Sequence, residues 1–362
     1  MPPHRPKFLF LYTEAAPYVI ACLEQLAADH GVEVHLVRWP VNREAPFEFD
    51  GAKVHVRERD RELAELIGFV DRLRPDVLFT SGWVDKGYLR ICREQHRRGI
   101  PVVMCSDTAW RGDPKQWLAL VIARYWIRSV FSHAWVTGEA QAEYARRLGF
   151  RSDRIKTGFY SADTHRFIQI GEKLLGDRKD LWPHRFLCVA RYIPTKGHQY
   201  LCDAFAELCD EGAAGDWELW FAGTGELLDQ VKNSTSGKHP RIKHLGFKQP
   251  QEMEALLDQA GVFVLPSLYE PWGVVVHEHA CAGMPMILSD AVGAAERFLK
   301  VDENGVSFKA GDKEALKNAL RTMITKSDRE LRSMAQRSMD LAKQWDPPQW
   351  ARTAMEFFSD RP

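Results

Sequence analysis

The 362-residue sequence predicts an α/β protein of two doubly wound, parallel-sheet domains facing a cleft. Three observations carry that prediction. The chain is longer than the usual single domain, so two domains are the natural expectation. Short apolar runs rich in β-branched and aromatic residues alternate with helical patterns along most of its length. The runs are continuously apolar rather than alternating, as expected for strands buried on both faces of a parallel sheet.

In chain order, the strand candidates of the first half are KFLFLY from Lys7, EVHLVRW from Glu33, DVLFT from Asp76, PVVMCS from Pro101 and HAWVT from His133. RELAELIGFVDRL and KGYLRICREQHRR are helical patterns between them. The second half offers RFLCVA from Arg185, WELWFAG from Trp217, RIKHLG from Arg241, VFVLPS from Val262 and PMILS from Pro285, with HQYLCDAFAELCD and PQEMEALLDQA as helices. A polar stretch without clear alternation separates the halves and reads as a linker near residues 165–180. The expected domains are residues 1–168 and 169–345. Residues 346–362 form a helix with proline at its start, packing toward the first domain.

Charged residues at 27% and hydrophobic residues at 45% describe an ordinary globular composition. A formal net charge of +0 gives no electrostatic footing for a nucleic-acid partner. The first half is mildly basic and the second mildly acidic. Cys22, Cys92, Cys105, Cys188, Cys202, Cys209 and Cys281 form no CxxC pair, and most sit in apolar runs as reduced thiols would. No signal-peptide pattern opens the sequence, and no run approaches the roughly 20 apolar residues that span a bilayer. A cytoplasmic location is expected. The segment from Trp117 to Phe131, carrying Arg124 and Arg128, has two readings: a helix touching a membrane surface, or a packed helix whose arginines snorkel to water.

The chemistry gathers at strand ends, where open sheets of this kind bind ligands. EPWGVVVHE places Glu270 before a turn at Gly273 and Glu278 about one turn into the helix that follows. Ionised carboxylates accept paired hydrogen bonds from vicinal hydroxyls, so two separated acids suit two sugar rings. A helix beginning near Val274 offers main-chain N–H groups that lack internal partners, which favours phosphate. VARYIPTKG supplies Arg191 and Lys196 at another strand-to-helix crossing, a pairing fit for a diphosphate. FAGTGEL adds Gly223 and Gly225, which permit close backbone approach; as a dinucleotide fingerprint it fails, because Leu228 stands where a third glycine is needed. His277 and His279 straddle Glu278 at a spacing that puts them on different helix faces, which argues against a shared metal.

These stretches resemble the retaining glycosyltransferases of family four, which have the GT-B fold of two Rossmann-like domains. EPWGVVVHE is similar to their paired-glutamate motif, VARYIPTKG to their "GR…KG" loop, FAGTGEL to their "GxG" loop, and CAGMPMILSD to the segment that follows. GFYSADTHRF resembles the stretch that closes their first domain. The likeness covers residues 154–310 strongly and the first domain only in its alternation. It implies a nucleotide-sugar donor, UDP-linked ahead of GDP-linked on family frequency, as substrate rather than cofactor. Arg191 and Lys196 would hold the diphosphate. Glu270 and the N–H groups of Trp272, Gly273 and Val274 would serve the donor sugar, and Glu278 the ribose. Transfer would retain the anomeric configuration and need no metal. The acceptor would be a saccharide, a lipid-linked glycan or a glycoside, with peripheral membrane contact as a corollary.

Two departures stand out. YTEAAPYVIACL lacks the Gly-Gly common after the first strand, and Glu14 there is a candidate for acceptor contact. The histidine that many members carry after PVVMCS is replaced by Ser106 and Asp107; Asp107 either orients an acceptor hydroxyl as base or caps the next turn. The competing readings are a sugar-nucleotide-binding protein without turnover, and an epimerase or phosphorylase of the same fold.

Overall fold

The computed structural model describes residues 5–40, 53–59, 62–178 and 181–360. The side chains of residues 122, 124 and 125 lie outside the described set, and with them that of Arg124. The chain divides into two compact units. One runs up to Asp163 and resumes at Trp345; the other contains Thr164–Gln344.

The first unit opens with β1 (Lys7–Tyr12), α1 (Pro17–His30), β2 (Glu33–Arg38) and β3 (Val54–Glu58). It continues through α2 (Leu63–Leu73), β4 (Val77–Ser81), α3 (Lys86–Arg97), β5 (Val102–Ser106) and α4 (Pro114–Trp126). It then adds β6 (His133–Val136), α5 (Glu139–Arg147) and β7 (Ile155–Lys156). The strands form a parallel sheet in the order β3-β2-β1-β4-β5-β6-β7, so the winding reverses between β1 and β4. Register pairs Lys7 with Glu33, and His35 with His55.

The second unit begins with α6 (Thr164–Asp177), β8 (Arg185–Val189), α7 (His198–Asp210), β9 (Glu218–Ala222), α8 (Leu228–Asn233) and β10 (Ile242–His244). It goes on with α9 (Met253–Gln259), β11 (Val262–Leu265), α10 (Val274–Cys281), β12 (Met286–Ser289) and α11 (Ala295–Phe298). β13 (Gly305–Phe308), α12 (Lys313–Ile324) and α13 (Asp328–Ala342) complete it. Its sheet order is β10-β9-β8-β11-β12-β13, all parallel, with the reversal between β8 and β11. Trp182, Phe186, Trp217 and Phe221 lead its largest buried cluster.

The final helix, α14 (Pro347–Ser359), belongs to the first unit and packs on α1. Its Trp350 and Phe357 join Phe10, Phe79 and Trp135 in the core on one face of that sheet. Leu9, Leu11, Leu78 and Ile127 fill the core on the other face. Phe10 stacks on Phe79 with ring centroids 4.5 Å apart. Each such buried aromatic contributes about 1.5–3 kcal/mol relative to exposure.

The stretch expected to be a linker is helix α6. Its Phe167, Ile170, Leu174 and Leu175 repeat at helical spacing and are buried, but glycines and polar residues dilute the pattern. Gly171 has a packing reason: a Cβ there would lie 2.6 Å from the carbonyl oxygen of Cys281, where α6 crosses α10.

Candidate active site

The winding of the second unit's sheet reverses between β8 and β11, which opens a crevice at the carboxyl ends of those strands. The loop after β8 carries Arg191 and Lys196, and the loop after β11 carries Glu270. The two loops are stitched together. The N–H groups of Leu268 and Tyr269 both donate to the carbonyl of Thr195, at 2.7 and 3.3 Å. Gly197 turns with φ +69°, and a Cβ there would come within 2.2 Å of the Pro266 carbonyl oxygen, so glycine is needed for this approach.

The stitching brings Lys196 and Glu270 together: the Lys196 ammonium donates to Glu270 Oε2, and the side chains are only 16% and 10% exposed. The Ser267 hydroxyl donates to the same oxygen at 3.5 Å, a long contact. Arg191, by contrast, is exposed. The loop after β9 lies against the same segment, with Tyr192 N–H donating to the Thr224 carbonyl at 2.8 Å and Leu227 N–H to the Tyr192 carbonyl at 3.0 Å. A Cβ on Gly223 would sit 2.0 Å from the Ala190 carbonyl oxygen. A Cβ on Gly225 would sit 2.6 Å from that of Tyr192.

Helix α10 starts right after Gly273, at φ +92°, and no side chain caps it. Val276 N–H donates to the Gly273 carbonyl at 3.0 Å, whereas the N–H groups of Val274 and Val275 lie too early in the helix to find an acceptor within it, and the positive end of its dipole lies in the loop that holds Glu270. Trp272 is buried, and its carbonyl accepts from Ala294 N–H at 2.9 Å. Glu278, the fifth residue of α10, is half-buried. His277 and His279 on either side of it are core residues: His277 contacts the Ala342 carbonyl and stacks on Phe298, while His279 contacts the Val275 carbonyl and stacks on Phe263. Two cations, two acids, glycine-thinned backbone and an uncapped helix start thus belong to one end of one sheet. Such a set can hold a diphosphate and hydroxyl groups together.

Comparison with known proteins places the chain in a family. Residues 178–339 match the family described as "Glycosyl transferases group 1", and residues 14–157 match "Glycosyl transferase 4-like domain". The chain belongs to the family-four type of GT-B glycosyltransferases.

An uncharacterized glycosyltransferase of Methanocaldococcus jannaschii is 32% identical over 122 residues, 33% of this chain and 30% of its own length. The UDP-Gal:alpha-D-GlcNAc-diphosphoundecaprenol alpha-1,3-galactosyltransferase of Escherichia coli is 26% identical over 152 residues, 41% of this chain and 38% of its own. The chain thus spans well under half of the curated relatives it matches. HepE of Anabaena, solved with UDP and glucose, superposes with a TM-score of 0.73 over 98% of this chain and all of that one, at 18% identity.

Asp107 lies in the first unit, just past β5, apart in the chain from the Lys196–Glu270 loops. The Tyr160 hydroxyl donates to its Oδ2 at 3.5 Å, and Ser106 Oγ accepts from Thr108 N–H at 3.2 Å. Glu14, past β1, is exposed. The sequence reading missed Thr195, whose carbonyl joins two loops, and Tyr192, whose hydroxyl meets His244 Nδ1 at 2.7 Å while its ring stacks on His198 at 4.0 Å. It also missed Gly293, where a Cβ would meet the Pro271 carbonyl oxygen at 2.2 Å. Its place inside CAGMPMILSDAVG, just past β12, was the available signal.

Proposed function

We propose that this chain transfers a sugar from a uridine diphosphate donor to a hydroxyl of a saccharide or lipid-linked acceptor, with retention at the anomeric carbon and without a divalent metal. The observation that carries the reading is the meeting of Lys196 and Glu270 at the strand-order reversal, beside the uncapped start of α10. Arg191 and Lys196 bind the diphosphate, the Trp272–Val274 N–H groups and Glu270 bind the sugar, Glu278 takes the ribose hydroxyls, and Gly223 and Gly225 let the nucleotide lie against the backbone. The acceptor oxygen attacks the anomeric carbon on the face from which the diphosphate departs. The bond from that carbon to the β-phosphate oxygen breaks, and the acceptor proton passes to the departing phosphate. Charge grows on that oxygen, and fixed cations beside it lower the barrier.

Asp107 orients the acceptor hydroxyl. UDP is favoured because HepE was solved with it and the E. coli relative is named for a UDP-linked donor. The same relative is named for a lipid-diphosphate acceptor, and the apolar side chains of Trp117, Leu118 and Val121 on α4 are 56%, 63% and 72% exposed, which favours work at a lipid surface. Among the described residues, no helix is long and apolar enough to cross a membrane. None of the seven cysteines forms a disulfide and all but Cys209 are buried, in keeping with a reducing compartment.

The test is a panel of UDP- and GDP-sugars in which nucleotide release is measured with acceptor extracts, with and without EDTA, and the product's anomeric configuration is read by NMR. UDP release that survives EDTA and an anomer matching the donor are expected. An inverted product or strict metal dependence overturns the corresponding clause. Thermal stabilisation by nucleotide sugars without any release would favour a binding protein.

A further inference from the structure

Outside the donor-side set, the first unit carries a cluster of metal-ligating side chains. Glu33 and His35, two residues apart on β2, share one face of the sheet, and His55 lies directly opposite His35 on the edge strand β3. Glu33 Oε1 and His35 Nε2 are 2.7 Å apart, and the His35 and His55 rings stack with centroids 4.7 Å apart. One ligand atom from each of the three residues lies within 4.8 Å of the others.

We propose that Glu33, His35 and His55 bind a divalent transition-metal ion, with zinc the best match, which fastens β3 to β2. Zinc prefers imidazole nitrogen and carboxylate oxygen at about 2.0–2.2 Å, so the ligand atoms of one tetrahedral ion stand about 3.3 Å apart. Glu33 and His35 are already closer than that, and a turn of the exposed His55 ring closes the rest. Two histidines and one carboxylate leave the fourth position to water. Imidazole donors select against magnesium and calcium, which take oxygen ligands.

The neighbours limit the site without closing it. Lys7, the register partner of Glu33 on β1, favours the charge of that carboxylate and competes with a bound cation. Phe69 packs 6.1 Å from the His35 ring and bounds the cluster on one side. The edge strand gives the metal a purpose. β3 is five residues long and, among the described residues, pairs with β2 alone; Val54 reaches the core, Arg57 lies over Phe69 and Glu58 meets Arg38, while His55 and Val56 are exposed, so a cross-strand ion would add a tie at the middle of the strand.

The full chain, stripped with chelator, is titrated with zinc chloride by calorimetry, and thermal unfolding is followed in parallel. One equivalent should bind, raising the melting temperature by about 3 °C or more at saturation. His55→Ala, at an exposed position, should keep the fold and lose affinity at least tenfold. His35→Gln should do the same, and Lys7→Ala should tighten binding. Cobalt should give the visible bands of a four-coordinate ion with the natural chain and not with His55→Ala. Magnesium should neither bind nor stabilise. Zinc bound equally well by the natural chain and both histidine variants, or no bound equivalent at all, overturns the proposal.

Discussion

Arg191 and Lys196 stand in one loop, yet the structure gives them different surroundings. Lys196 is enclosed and paired with Glu270, which is itself buried, whereas Arg191 is exposed. Replacing either by alanine should slow transfer by about 10²–10³-fold, the scale of losing one charge-stabilising donor. Stability should separate them. Lys196→Ala leaves the Glu270 carboxylate without its cation, which costs about 1–3 kcal/mol, while Arg191→Ala should leave the unfolding midpoint nearly unchanged. Urea unfolding of both variants beside turnover of the nucleotide sugar is the measurement, and an equal loss of stability would refute the asymmetry. The residues of this pair were legible in the sequence because charged side chains at strand ends have few structural uses. Their pairing was not, because it depends on Gly197 letting one loop approach the Pro266 carbonyl of another.

Elements were legible in proportion to how deeply they are buried. Every interior strand of both sheets coincides with an apolar run in the sequence. Among the described residues, three of the four edge strands, β3, β7 and β13, went unrecognised. An edge strand is paired on one side only, so it tolerates charge and short length; VHVRE and the two-residue β7 carry little hydrophobic signal. The metal-binding proposal depends on one such strand, since EVH is visible on β2 but its partner His55 is found only through register. Helix α6 was hidden for a different reason, its glycines, and these make a prediction. Gly171→Val should destabilise by about 1–3 kcal/mol, because the new side chain meets the α10 main chain rather than a movable side chain. Gly176, in the same helix with nothing within 4 Å of a built Cβ, is the control. Gly176→Ala should stabilise by about 0.5–1 kcal/mol through helix propensity. Equal effects in chemical denaturation would show that propensity, not the helix crossing, governs both sites.

Across the molecule, both units hold histidines that burial keeps neutral. Burial, reinforced by the charge of Arg154, pushes His133 in the first unit down to about 4. In the second unit, burial pushes His198 to about 3 and His279 to about 4, the latter against a contact with the Val275 carbonyl. A histidine in the unfolded chain takes its proton near pH 6.5. Between that pH and about 4 the unfolded chain therefore binds protons that the native chain refuses. Stability then rises with pH through this window, is fully present above it, and is lost as pH falls. For His133 the displacement of about 2.5 pH units corresponds to about 3 kcal/mol by the bottom of the window. Carboxylates whose protonation is likewise disfavoured in the native state, such as Asp85 and Glu218, make their contribution mostly below about pH 4.5. The two sources are therefore separable. Urea unfolding at pH 7.5, 6.0 and 5.0 should show a steady loss of stability before the carboxylates titrate. His133→Gln should flatten that loss for the first unit while leaving the second unit's dependence in place, since His198 and His279 are untouched. A stability unchanged from pH 7.5 to 5.0, or an unaltered slope in the variant, would mean that water or relaxation reaches the buried ring when it takes a proton.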